Sequence, residues 1–592
     1  MSSYIRSRAL LAGALLAAAV VAHPRAQAPA IDDFFRTFTD DWVRANPNQA
    51  IQSRYFTGAE QDALEAQITP LTREWRRRRV EMTRRGLAEL AKFDKDRLTA
   101  TQRVSADLMK WQLEVVVEGD KYDDFAFPLE QFAGANIELV NILTVLHPLN
   151  TEKDAANYVT RLGQVAARMQ EATAEARELA AKAMVPPRFI VRATLAQMRQ
   201  FIGTPAAQNP YVAAFFERMT ASGAIPEARR EELRAAAERI TSAQIYPAWQ
   251  NAIAVLEPLV DKTTDDAGLW RFKGGAAAYA YNLRRFTTTN LTVDEIHQIG
   301  LREVARIEKE MDAIFRRLGR AEGSVNSRIA QLEKDLAYPA TAEGRARIMA
   351  DIDGIISDAQ KQSAALFERV PRAGVIARPF PAFRENTAAA NYGAPARDGS
   401  RPGTFQIPLR PSYLTKFGLR TLVYHETVPG HHFQIALELE NEASPRFRQI
   451  RALGGISALS EGWGLYAERL AAESGWYDND LEGQLGQLEG ALFRARRLVV
   501  DTGLHAKRWT RQQAIDYGIE ASEIDRYVVN PGQACAYMIG QLKIVELRDK
   551  AQKALGGRFS PKAFHDAVLM AGTVPLPILE GQVDAYIRAT AN

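Results

Sequence analysis

Between residues 31 and 260 the apolar residues return every three or four positions, and that spacing commits this part of the chain to amphipathic helices. Segments 72–93, 155–181 and 225–256 carry the pattern, with Glu, Arg and Gln between the apolar positions. Breaks fall at Pro186-Pro187, between Gly203 and Pro210, and at Pro258, where proline or glycine stops a helix. Trp75 and Trp111 lie in such stripes and read as core residues. A chain of 592 residues, 46% hydrophobic and 25% charged, can bury a large core, and two regions sharing one site are expected.

The character changes after residue 262. Gly274-Gly275, the aromatic Tyr279 and Tyr281, and Thr287-Thr288-Thr289 suggest a boundary and a lip. Thr292 and Glu295 then form a capping box opening a long helix, on which His297 reads as structural. Residues 378–418 lose the helical period. Residues 404–409 alternate like a short strand, and Pro408 marks it as an edge because proline cannot donate to a ladder. An edge strand just before a catalytic helix would hold an extended peptide by strand addition.

Arg6 and Arg8 precede an apolar run from Ala9 to Ala22, and small residues follow at Val20-Val21-Ala22 and at Ala26-Gln27-Ala28. That layout predicts a secretory signal peptide over residues 1–28, and the apolar run is short of the roughly twenty residues that span a bilayer. Export to the periplasm is expected, with no membrane association after cleavage. The single cysteine, Cys535, allows no intramolecular disulfide, and none near the leader argues against a lipid anchor. A net charge of +4 without a long basic block gives no reason to expect nucleic acid.

Chemistry concentrates at 419–434, LRTLVYHETVPGHHFQ, which holds three of the eight histidines. Zinc hydrolases need neutral imidazoles and a carboxylate as ligands, an open position for water, and a second carboxylate to take a proton. The usual helix places histidines at i and i+4 with glutamate at i+1. Here His425-Glu426 begins that pattern, but Pro429 occupies i+4, and the next histidines are His431 at i+6 and His432 at i+7. On an unbroken helix i+6 points about 240° around, and i+7 lies about 10.5 Å along the axis. A break at Pro429-Gly430 would bring one of them back, and His431 is the preferred ligand. The stretch SEGWGLYAER supplies Glu461 as third ligand beside the small Gly462, and Glu468, seven residues on, as its support or as a plain ion pair.

Four stretches, HETVPGHHFQ, SEGWGLYAERL, RARRLVVDTGLHAKRW and RYVVNPGQACAYMIGQLKI, resemble in that order the bacterial family catalogued as domain of unknown function 885. That family looks like a branch of the gluzincin-type zinc metallopeptidases, and its motif has the same His-Glu-x-x-Pro-Gly-His form. The resemblance implies a mainly α, zincin-like catalytic domain with many long helices and a small sheet. The expected division is a helical region, 29–262, forming a wall of the substrate channel, and a catalytic region, 263–592.

Arg497, Asp501 and His505 recur at four-residue spacing on one helical stripe, and His505 could donate to a developing oxyanion or belong to a buried network. Tyr537, after the turn Asn530-Pro-Gly-Gln533, is a second oxyanion donor, and Arg526 could hold a substrate carboxylate. Taken together these readings predict zinc-dependent hydrolysis of oligopeptides, with Zn2+ on His425, His431 and Glu461, Glu426 as base, and Tyr537 and His505 assisting. Two alternatives stand beside it: a zinc hydrolase of a non-peptide amide or ester, and a non-catalytic exported peptide-binding protein.

Overall fold

Among the described residues helix accounts for 71% and strand for 3%. The computed structural model describes residues 30–591 apart from 381–384, 386–388, 397–400 and 411–413, so the predicted leader lies outside the described residues. In the first region α1 (Ile31–Arg44), α2 (Arg73–Leu90), α3 (Ala100–Gly119) and α4 (Glu152–Ala181) follow the periodicity. Thr72 caps α2 by accepting from the Trp75 amide, and Thr151 opens α4 with a capping box. The expected helix over 225–256 is α5 (Glu227–Ile240) and α6 (Tyr246–Leu256), joined through a π turn at Thr241–Ile245. Trp75 and Trp111 are half-buried. Arg79 lies over both Trp42 and Trp75, at 3.5 and 4.9 Å from the ring centroids.

The apolar core crosses the 262/263 line. Phe35, Trp42, Leu108 and Met109 share one cluster with residues of the second region as far as Val583, while a separate cluster holds residues between Ile68 and Leu259. Polar bonds follow the same contact: the Trp42 indole donates to the Ala452 carbonyl at 2.9 Å, and the Gln112 amide to that of Gly454 at 2.9 Å.

In the second region α7 (Gly275–Thr287) replaces the expected lip. Its aromatic residues turn inward: Tyr279 is buried and its hydroxyl donates to Asp501 at 2.6 Å. Next come α8 (Val293–Arg317), capped by Thr292 and Glu295, and α9 (Ala342–Ser363). His297 on α8 is buried against Thr502, 2.8 Å from its hydroxyl.

A three-stranded sheet follows, made of β1 (Val375–Pro379), β2 (Asn391–Gly393) and β3 (Gly403–Ile407), in the order β1-β3-β2. This corrects the edge-strand expectation. β3 pairs parallel with β1 and antiparallel with β2, so it is central and its main chain is already engaged on both sides. Pro408 does not argue against this, because it falls just after the last strand residue, where no ladder bond is needed.

The remaining helices carry the site: α10 (Lys416–Glu426), α11 (His431–Glu440), α12 (Ser457–Glu473), α13 (Leu481–Ala506), α14 (Ala521–Val529), α15 (Ala536–Leu555) and α16 (Pro561–Met570). α12 and α15 cross glycine on glycine: a Cβ on Gly462 would come within 2.6 Å of the Gly540 Cα. Among the described residues no helix is long and apolar enough to cross a membrane.

Candidate metal centre

α10 ends at Glu426 because the next residues cannot continue it. Thr427 leaves helical geometry, with φ −118° and ψ −104°, and Pro429 has no amide hydrogen to donate. Gly430 then passes so near the preceding turn that a Cβ there would sit 1.9 Å from the His425 carbonyl oxygen. The chain re-enters helix at His431. His425 closes one helix and His431 opens the next, and their rings meet at 4.7 Å between centroids with planes at 84°. The break between two helices is what reconciles the i+6 spacing.

Glu461, in the second turn of α12, faces both rings. Its Oε2 lies 3.5 Å from His425 Nε2 and 3.5 Å from His431 Nε2. Ligands at about 2.1 Å around a tetrahedral ion stand roughly 3.4 Å apart, so these separations suit a metal at their centre. Another near-neighbour set exists: ligand atoms of His425, Glu426 and His431 all fall within 4.8 Å of one another. The tetrahedral edge favours Glu461 as the ligand and leaves Glu426 beside the two imidazoles. The His431 and Glu461 side chains remain 12% and 23% exposed while His425 is only 4% exposed, so the centre opens on the Glu461 side.

Support comes from behind. His425 Nδ1 hydrogen-bonds Glu468 Oε1 at 2.7 Å, an arrangement that fixes the ring and leaves Nε2 toward the centre. Arg494 NH2 lies 3.7 Å from the same carboxylate oxygen. Gly464 leaves room for the imidazole, since a Cβ there would be 2.7 Å from the His425 ring. Burial opposes charge on His425, but Glu461 and Glu468 outweigh it and hold the imidazole up at about 10. Burial likewise pushes against ionisation of Glu461, and the two imidazoles nevertheless hold its carboxyl well below the usual range. Burial raises the Glu426 carboxyl, with both imidazoles pulling the other way.

His432 takes no part. It sits 2.9 Å from the Tyr392 hydroxyl through Nδ1 and 2.9 Å from the Ala373 carbonyl through Nε2, tying α11 to the small sheet. Burial lowers its imidazole to about 4, as suits a neutral ring accepting from the tyrosine and donating to the carbonyl.

The stripe on α13 divides. His505 is buried with both nitrogens committed to main chain: Nδ1 accepts from the Leu269 amide at 3.2 Å and Nε2 donates to the Tyr527 carbonyl at 3.0 Å. That is the buried-network role, and it leaves no imidazole hydrogen for an oxyanion. Asp501 accepts from Tyr279 and from the Gly532 amide, which anchors the turn before α15, and burial raises its carboxyl to about 7. Arg497 lies over the Tyr537 ring, 4.5 Å from its centroid, and Tyr537 is half-buried one turn before the Gly462/Gly540 crossing. Sequence reasoning passed over Arg494 and Tyr392. Arg494 shares the α13 stripe with Arg497 at i+3, a signal that was present; Tyr392 carried none.

Fold and site together define a mainly helical protein with two histidines and two carboxylates gathered where one helix breaks and a second passes by. The family model "Bacterial protein of unknown function (DUF885)" matches residues 51–583, and the chain belongs to that family. Two solved structures share the architecture. One, described as "the putative lipoprotein from Colwellia psychrerythraea", is 30% identical, with a TM-score of 0.87, 94% of this chain and 100% of that chain being covered. The other, "a putative lipoprotein of unknown function from Shewanella oneidensis", is 18% identical, with a TM-score of 0.68 over 94% of this chain and 99% of that one, and shows the fold alone. No curated protein sequence matches the chain.

Proposed function

We propose that this protein is an exported, zinc-dependent peptidase of gluzincin type that hydrolyses peptide bonds in oligopeptides. The observation that carries the reading is the Glu461 oxygen, 3.5 Å from each of two imidazole Nε2 atoms, with Glu426 beside them. The donor set fits the metal: two nitrogens and one carboxylate are the ligands of a catalytic zinc site, and Glu468 behind His425 is the carboxylate support such ligands carry. His425, His431 and Glu461 would hold the ion. When bound, the ion supplies Lewis acidity to a water and to the scissile carbonyl.

The chain's own groups supply the rest. Glu426 accepts a proton from the attacking water and delivers it to the departing amine nitrogen. Its burial, which raises the carboxyl, suits a group that must both take and give a proton. Tyr537, half-buried beside the crossing of α12 and α15, donates its hydroxyl to the developing oxyanion. Export is supported by the leader-like residues 1–28 and by the names of the structural relatives.

The test is Glu426→Gln. Peptide hydrolysis should fall by about 10²–10⁴-fold while the bound zinc stays stoichiometric. A parent protein inert toward a broad peptide library would sink the reading. The central position of β3 gives the second reading its place, since the strand expected to hold an extended peptide is already paired on both sides. A hydrolase of non-peptide amides or esters would use the same base, and activity on such substrates alone would select it.

A further inference from the structure

On α13 and α14 stands a pair of arginines that share a single ion-paired carboxylate. Arg497 on α13 is 5% exposed in its side chain; its Nε donates to the Tyr527 hydroxyl and its NH2 to Glu523, each at 2.8 Å. NH1 of the same guanidinium is buried and has no hydrogen-bond partner. Arg526 on α14 donates NH1 to the same Glu523 at 3.3 Å and NH2 to Gln533, while its Nε is also buried without a partner. Among the described residues Glu523 is the one carboxylate in ion-pair contact with either arginine. Asp501 makes up the difference only in part: it has no ion-pair contact with either arginine, its oxygens accept from Tyr279 and the Gly532 amide, and burial raises its carboxyl to about 7 against the pull of Arg526. Two guanidiniums sharing one ion-paired carboxylate leave positive charge in excess and the Arg497 NH1 and Arg526 Nε donors unmatched, a costly arrangement in a mostly buried place.

The pair is linked to the metal centre along two helices. On α13, Arg497 is one turn beyond Arg494, which reaches the Glu468 carboxylate that holds His425. On α15, Tyr537 underlies Arg497 and sits one turn before Gly540, whose neighbour across the crossing is Gly462, next to Glu461. The open side belongs to Arg526, whose side chain is 18% exposed. There the first region closes on it: the Phe132 ring lies 5.3 Å from the guanidinium carbon and is 42% exposed, and the Gln131 amide donates to the Asp525 carbonyl at 3.0 Å.

Accepting the peptidase reading, on which this rests, we infer that Arg526, backed by the buried charge of Arg497, receives a carboxylate of the peptide substrate and so positions the chain for cleavage near that group. A planar carboxylate matches the guanidinium donors and supplies the missing negative charge. The exposed Phe132 face gives apolar surface to the residue that bears it. The carboxylate comes from a chain terminus or from an Asp or Glu side chain, and the two sources are separable.

Three versions of one short peptide test this in the zinc-loaded, full-length protein: a free C-terminal acid ending in an apolar residue, its C-terminal amide, and an amide ending in Glu. The first or the third should exceed the second at least tenfold in kcat/KM, the first identifying the main-chain carboxylate and the third the side chain. Arg526→Gln should bring that ratio toward one, mainly through KM, and Arg526→Lys should restore part of it. On the unmodified protein, the free-acid product should inhibit competitively and its amide should not, a reading that needs no variant to fold. Equal cleavage of all three peptides, or a preference untouched by Arg526→Gln, overturns the inference while leaving the peptidase intact. Cleavage of none of them fails the peptidase reading itself.

Discussion

His431 and His432 are neighbours in sequence and differ in every contact. One ring looks toward Glu461 at 3.5 Å, while the other spends both nitrogens on Tyr392 and Ala373. Replacing each by alanine separates metal binding from folding. His431→Ala should lose bound zinc with little change in stability of the metal-free protein. His432→Ala should keep its zinc and lose about 1–3 kcal/mol, since two half-buried polar groups lose their partner. Elemental analysis beside urea unfolding reads both, and zinc lost only from His432→Ala would reverse the assignment. Residue identity and spacing made His425, Glu426, His431 and Glu461 legible in the sequence as a group. They could not place His505, because a stripe of i, i+4 and i+8 gives a helix face without naming what packs on it. Its partners, Leu269 and Tyr527, are 236 and 22 residues away.

At the scale of elements, the candidate metal centre is made by two interruptions of regular structure. Pro429-Gly430 ends α10 so that α11 can begin with a histidine, and the glycines of α12 let that helix approach both α15 and the His425 ring. The first was legible, since proline and glycine at fixed places in a helical pattern announce a break. The sheet was not: alternation over a few residues marks a strand without giving its rank in the sheet, and Pro408 proved to be the residue after the strand rather than a sign of its edge. Gly464→Ala tests the close approach without replacing any proposed ligand. Its new Cβ would lie 2.7 Å from the His425 imidazole, so the ring must turn away from Glu461 or α12 must shift. Zinc affinity should drop by about 10–100-fold, the range seen when support around a ligand is disturbed. Competition with a chelator of known affinity gives the number; affinity equal to the parent's would mean that the ring has slack there.

For the whole molecule, composition and helical period were enough to announce a mainly α protein, and the breaks at Pro186-Pro187 and Gly203 were read where helices end. Which helices share a core was not readable, because apolar stripes state that a face is covered and not by what. A division near residue 262 follows the change in pattern, yet α1 to α3 bury Phe35, Trp42, Leu108 and Met109 in the cluster that also contains Tyr424, Trp463 and Leu498. Phe35 packs on Phe447 at 5.4 Å between ring centroids, and the Trp42 indole and the Gln49 amide both satisfy the Ala452 carbonyl. A chain of residues 263–592 alone would therefore expose this apolar face and leave the Ala452 carbonyl to water, a loss to set against the roughly 5–15 kcal/mol that holds a typical protein folded. Expressed alone it should show helical circular dichroism without a cooperative thermal transition, and should bind no stoichiometric zinc. Co-expression with residues 30–262 should recover both properties, because the second fragment returns the missing face of the core. A cooperative, zinc-binding 263–592 fragment would show instead that the first region only rests against a core that is complete without it.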